Sequence, residues 1–291
     1  MNKKMRISDS KYGFLLTLPG LLFLIILIAF PLATLISLSF CKYDFINPVE
    51  FVGLENFKWV IEDRVFWLAL VNTVIYSIGV TMFTFLIGLL LAITTSRISK
   101  LSTLFRTLII LPWAVPLVVS GLVWRWMLDP GGGIYNYIIF QLGFVKEPLN
   151  IFADPNLAMI GVILADTWSR IPFMFISILA SIKSITPELY EAARIDGANM
   201  INSFRHITLP LAKKGILVGI LITSMFSFRT IDVIWSMTRG GPAKTTYVLG
   251  LLLYDYIVRS LNLGYAAALG FIMLFLISTF SSILIYYILK G

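Results

Sequence analysis

Six stretches of this chain, at about 13–40, 67–95, 107–128, 157–181, 215–236 and 264–289, are long and apolar enough to cross a bilayer. A hydrocarbon layer of ~30 Å is spanned by about 20 residues at helical rise. Inside it every backbone polar group needs a partner from the protein, which leaves helices and closed barrels. None of the six stretches alternates with the period of a barrel strand, so each is expected to be a helix. The composition agrees, with 58% hydrophobic and 13% charged residues against about 25% charged in soluble domains. The fold class is therefore all-α, a polytopic membrane protein with six transmembrane helices.

Side-chain chemistry excludes several functions. One cysteine, Cys41, and one histidine, His206, leave no disulfide framework, no thiolate zinc site and no iron–sulfur cluster; no metal site is expected. Asp166 and Asp232 are the only acids within the spans, each with an arginine nearby, so no catalytic residue is expected either. The net charge of +8 is explained better by its distribution than by a nucleic-acid partner. Residues 1–12 carry Lys3, Lys4, Arg6 and Lys11, and the apolar run after them is longer than a signal-peptide core and lacks a small-residue cleavage site. It reads as a permanent first span, making 13–291 a single membrane domain behind a short tail.

An even number of spans places both termini on one side, and the positive-inside rule selects it. The terminus side holds thirteen Lys and Arg residues: Lys3, Lys4, Arg6, Lys11, Arg97, Lys100, Arg106, Lys183, Arg194, Arg205, Lys213, Lys214 and Lys290. The opposite side holds seven: Lys42, Lys58, Arg64, Lys146, Arg239, Lys244 and Arg259. Both termini and the polar connection 183–212 are thus expected in the cytoplasm. On the outer side, Asp129-Pro130 and three glycines predict a turn closing the third span. Within 237–263 the run Tyr247–Tyr254 is apolar, but Asp255 and Arg259 make it a poor span. An interfacial or re-entrant helix on the outer face is expected there.

The connection 183–212 is about thirty residues long, where helix–helix connections usually take 2–8. Thr186-Pro187-Glu188 has the chemistry of a helix start: a hydroxyl cap, proline in the first turn and an acid at the positive dipole end. Leu189, Ala192 and Ala193 then share a small apolar face, and Gly197 can adopt the left-handed conformation that ends a helix. A second short helix with Ile201, Phe204 and Thr208 on one side leads to Pro210. The segment is expected to be a helix–Gly–helix elbow whose alanine face admits a docking partner.

Two polar stripes lie in the spans that enter and leave the elbow. Asp166, Ser169, Arg170 and Phe173 share one face of the fourth span, and Asp166 can pair with Arg170. Thr223, Phe226, Ser227 and Thr230 repeat the spacing in the fifth. Hydroxyl, charge and aromatic groups together suit a sugar, although Ser and Thr within spans equally serve as interhelical hydrogen-bonding groups. Arg229 and Asp232 lie largely on another face, as a structural ion pair or part of a gate. Trp124 and Trp126 are expected in an aromatic belt at the end of the third span.

Glu191-Ala192-Ala193, Gly197 and Ile207-Thr-Leu-Pro210 resemble the "EAA" loop of permease subunits in binding-protein-dependent ABC importers. Gly53-Leu-Glu-Asn-Phe57, Leu111-Pro-Trp113, Val123-Trp-Arg-Trp126 with Asp129-Pro130, Pro172-Phe173, Thr238-Arg-Gly-Gly-Pro242 and Gly264-Tyr-Ala-Ala267 resemble its carbohydrate-uptake branch. Their order is similar to that of the larger, maltose-permease-like member of a permease pair. The resemblance covers nearly the whole chain and implies a prokaryotic cell membrane, a second homologous permease, two copies of a cytoplasmic ATPase, an extracytoplasmic solute-binding protein and a sugar as cargo. It makes the elbow, through Glu191, Ala192, Ala193, Asp196, Gly197, Leu209 and Pro210, the ATPase-coupling loop, and likens the stripes to a sugar path. No Gly-x-x-x-x-Gly-Lys-[Ser/Thr] occurs, so the chain is expected to be no enzyme and to hold no cofactor, ATP and magnesium being used by the partner ATPase. Where the family commonly has a second proline, this chain reads Lys213-Lys214-Gly215. An anionic substrate such as glycerol phosphate or an acidic sugar is the alternative within the class. An ion-coupled secondary transporter is the alternative outside it, without the inverted repeat such proteins show.

Overall fold

The computed structural model describes residues 9–97 and 102–290. Lys3, Lys4, Arg6 and Lys100, with the first eight residues of the predicted tail and the final Gly291, lie outside them, as does the side chain of Arg97. The described chain is almost entirely helical and divides into two compact units, residues 9–63 with 255–274 and residues 64–97 and 102–254 with 275–290.

The first unit begins with α1 (Asp9–Ser39), apolar on all sides and exposed along nearly its whole length. A two-residue pair follows, β1 (Cys41–Lys42) against β2 (Glu50–Phe51), antiparallel with Cys41 opposite Phe51. The amphipathic α2 (Glu55–Glu62) buries Asn56 and Val60. The Asn56 amide donates to the carbonyls of Ser39 and Cys41, at 3.0 and 2.9 Å, supplying partners for backbone left open where α1 ends. Phe57 packs between Phe40 and Phe271. The Gly-Leu-Glu-Asn-Phe stretch is thus a structural clasp.

The second unit is built around three helices. In chain order they and their neighbours are α3 (Arg64–Arg97), α4 (Ser102–Ile110), α5 (Leu117–Met127), α6 (Ile134–Gln141), α7 (Pro155–Lys183), α8 (Pro187–Ile195), α9 (Met200–Ser203), α10 (Leu209–Leu211), α11 (Lys213–Phe228), α12 (Asp232–Met237) and α13 (Leu249–Tyr254). The last helix, α14 (Leu263–Lys290), runs from the first unit into the second. Helix α7 starts cleanly: Asp154 accepts from the amides of Asn156 and Leu157, and Pro155 occupies the first turn. It is the most buried of the span-length helices, packed on both α3 and α11. Its small residues, among them Ala158, Gly161, Ala165, Ser169, Ser177 and Ser181, allow that close approach. Two apolar clusters result, one around Tyr76, Val162, Ile234 and Leu251 and one around Met174, Phe175, Ile178 and Ile216.

Four of the predicted spans are unbroken helices: Lys11–Ser39, Arg64–Ser96, Pro155–Lys183 and Leu263–Lys290. The other two are interrupted. The predicted third span, 107–128, breaks between Thr103–Ala114 and Leu117–Met127 with a 99° bend. Leu111–Ala114 form a tighter helical turn and Val115 is extended, as a residue before proline must be; Pro112 and Pro116 therefore make the break. The predicted fifth span, 215–236, ends early at Phe228, and α12 resumes after Arg229-Thr230-Ile231. The Thr230 hydroxyl donates to the Phe226 carbonyl at 2.8 Å, and the β-branched pair Thr230-Ile231 is a poor helix continuation.

The expected turn after Leu128 is present, with the Gly131 amide donating to the Asp129 carboxylate and the Gly133 amide to its carbonyl. The segment 237–263 does not simply lie on a face. Leu249, Gly250, Leu251 and Leu252 are buried, Leu251 within the core, and the Leu249 amide donates to Thr73 on α3 at 2.9 Å. Four consecutive apolar residues bury most area by entering the core. Trp124 is also interior, stacked on Tyr135 and edge-on to Trp168, whereas Trp126 is exposed as expected of a belt.

Candidate functional site

The two stripes meet. Asp166 is fully buried, and its Oδ2 accepts from Arg170 Nε at 2.7 Å, one helical turn away. The same oxygen accepts from the Tyr76 hydroxyl of α3, also at 2.7 Å. Arg170 Nη2 then donates to Thr230 Oγ1 at 2.6 Å, tying α7 to the break between α11 and α12. The charge on Arg170 is thus compensated where desolvation would otherwise make it costly. Ser169 shares a hydrogen bond with Ser120 of α5 at 2.9 Å.

In front of this network lies a cavity of about 320 Å³. Ser169, Arg170 and Phe173 line it from α7, Thr223 and Phe226 from α11, and the Pro112–Leu117 kink closes the remaining side. Trp113 meets Phe173 edge-on with centroids 6.1 Å apart. Phe226 carries two guanidinium groups near its ring, Arg170 at 5.7 Å and Arg229 at 4.8 Å, a contact that favours cations over the aromatic face. The Thr223 hydroxyl is buried with no protein partner. Hydroxyls, one guanidinium and three aromatic rings are the groups that hold a polyhydroxylated ligand.

Five of the eight stripe residues therefore come together on the cavity. The other three do not line it: Asp166 stands behind Arg170, Thr230 is taken up by Arg170, and Ser227 is buried with its hydroxyl on the Ser224 carbonyl at 3.1 Å. The expected Arg229–Asp232 pair is absent: no ion pair within 4.0 Å joins them among the described residues. The helix break separates them, leaving Asp232 in the first turn of α12 and Arg229 exposed over Phe226. Sequence reasoning missed Tyr76, Ser120 and the kink. A tyrosine alone in an apolar span and two prolines within five residues were the available signals.

The elbow has the expected form. Helix α8 begins at Pro187, and Gly197 ends it with φ +78°. One detail differs: the Thr186 hydroxyl makes no capping bond, and Pro187 with Glu188 sets the start instead. Tyr190 and Thr208 hydroxyls lie 3.0 Å apart, bracing the two arms. The second arm runs through α9, a wider π turn at Phe204–Thr208 and α10 before a 65° bend into α11. Glu191, Ala192, Asp196, Gly197, Leu209 and Pro210 are exposed and Ala193 is half-buried. Glu191, Arg194, Tyr190 and Lys183 line a second cavity of about 670 Å³. At the departure Lys213-Lys214-Gly215, the Ser177 hydroxyl donates to the Gly215 carbonyl at 2.7 Å, and a Cβ on Gly215 would collide with Ser181. Glycine there permits the α7–α11 crossing.

Comparison with known proteins places this geometry. Residues 85–291 match the family described as binding-protein-dependent transport system inner membrane component. The trehalose/maltose transport system permease protein of Thermococcus litoralis is 33% identical over 257 residues, which are 88% of this chain and 86% of that protein. The sulfoquinovosyl glycerol transport system permease protein of Agrobacterium fabrum is 33% identical over 269 residues, 92% of this chain and 87% of its own. In fold, the chain is similar to a subunit in the crystal structure of a bacterial ABC transporter involved in the import of the acidic polysaccharide alginate. That match has a TM-score of 0.81 at 23% identity, covering 97% of each chain.

Proposed function

Because the chain belongs to the family of binding-protein-dependent transport system inner membrane components, we propose that it is the permease subunit of an ABC importer and forms, with a second homologous permease, the path for a sugar or oligosaccharide. The observation that carries this reading is the cavity of Ser169, Arg170, Phe173, Thr223, Phe226 and Trp113, set within membrane-spanning helices. Polar groups at that depth are costly unless they serve an interior path. The elbow gives the means of driving it: an exposed, braced pair of short helices joined directly to α7 and α11, which carry the cavity. Two cytoplasmic ATPase subunits would hydrolyse ATP and move the elbows as rigid bodies, Glu191 making the polar contact and Ala192 and Gly197 permitting close docking. An extracytoplasmic binding protein would deliver the cargo. On this reading 13–291 is one permease domain in the cell membrane, with the 1–12 tail, the elbow and the C-terminus in the cytoplasm.

A second reading of the cargo, an acidic sugar, is favoured by one observation. Arg229 is exposed over Phe226 and in no ion pair within 4.0 Å among the described residues, so its positive charge lies over a ring that lines the cavity. A relative named for a sulfonated sugar glycoside fits the same chemistry.

The test is uptake by the assembled importer in proteoliposomes, using the ligand carried by its copurified binding protein. Uptake is expected to require ATP inside and to persist when ion gradients are collapsed. Uptake driven by a gradient without ATP would overturn the importer reading.

A further inference from the structure

The side chains bonded to Asp166 include one residue that belongs to neither polar stripe. Tyr76 is wholly buried within the core of the second unit, so it does not touch the cavity. Its hydroxyl nevertheless donates to the same Asp166 oxygen that receives Arg170 Nε. The other carboxylate oxygen, Oδ1, is buried without a partner, so the orientation of Asp166 depends on the two donors at Oδ2. A bond to a charged group is worth more than a neutral one, and here it is held by a ring locked in close packing. Arg170 in turn has Nε on Asp166 and Nη2 on Thr230. With two of its three nitrogens committed, the plane of the guanidinium is set, and it faces the cavity beside Phe226. Loss of the tyrosine hydroxyl would leave the carboxylate free to turn and draw the guanidinium from the wall.

We infer that Tyr76 is a positioning residue: acting through Asp166, it holds the Arg170 guanidinium at the cavity wall and so determines the positive charge that passing cargo meets. This rests on the reading of the cavity as the substrate path.

The experiment reads that charge without needing the cargo. In the assembled importer in membrane vesicles, a Phe173→Cys reporter in a Cys41→Ser background is reacted with anionic sulfonatoethyl methanethiosulfonate and with its cationic trimethylammonioethyl counterpart. The ratio of the two rates reports the local charge, while a general loosening of the fold moves both rates together. Adding Tyr76→Phe, which keeps the ring, is expected to lower the anionic-to-cationic ratio about fivefold. Arg170→Gln is expected to lower it at least as far, and the combination no further. A ratio unchanged by Tyr76→Phe, while Arg170→Gln lowers it, overturns the positioning role alone. A ratio unchanged by Arg170→Gln, or a reporter that neither reagent reaches, overturns the reading of the cavity as a path and the proposal with it.

Discussion

At the scale of single residues, the decisive feature is a carboxylate with no access to solvent. Asp166 is stable there because Arg170 and Tyr76 both reach its Oδ2. Removing one partner of a buried pair leaves an uncompensated charge, at about 3–5 kcal/mol. Asp166→Ala is therefore expected to lower thermal stability in detergent by that order, and Asp166→Leu combined with Arg170→Met by much less; equal losses in both would show that the pair is not the stabilising element. The pairing of Asp166 with Arg170 is visible in the spacing, because residues four apart share a helix face. Tyr76 as a further partner of Asp166 and Thr230 as one of Arg170 are not, because they come from 90 and 60 residues away. Ser227 shows the converse: helical spacing put it on the stripe, yet its hydroxyl is satisfied by its own helix.

At the scale of elements, the elbow was legible because its signals are local. A proline with an acid starts α8, a glycine at φ +78° ends it, and each acts within one turn. Its exposed face makes a prediction of its own. Glu191→Lys reverses a charge on the proposed docking surface without touching a buried contact, so uptake is expected to fall to background while membrane insertion and folding stay normal. Normal uptake by that variant would remove Glu191 from the coupling contact. The breaks in the two interrupted spans were less legible. Pro112 and Pro116 are visible in the chain, but apolar length alone reads 107–128 as continuous. The break at Arg229-Thr230-Ile231 carries no proline or glycine, and its Thr230 is met by Arg170 from another helix.

At the scale of the whole molecule, the expected orientation follows from charge, since basic residues remain on the cytoplasmic side during insertion. With Cys41→Ser as background, Lys244→Cys is expected to react with an impermeant maleimide in intact cells, and Lys290→Cys only after lysis. The opposite pattern would invert the topology and place the elbow where no ATPase could meet it. The class of fold and the helix–Gly–helix form of the elbow were determined by the sequence itself, because the bilayer reduces the problem to apolar length and local caps, both properties of contiguous residues. The tertiary structure alone decided which polar groups face a common cavity, that a tyrosine from α3 stands behind the arginine, that Arg229 and Asp232 part company, and that Leu249–Leu252 enter the core rather than lie on a face. Each of these depends on helices far apart in the chain meeting at contact distance, and helical periodicity says which residues share a face but not which helix that face will meet.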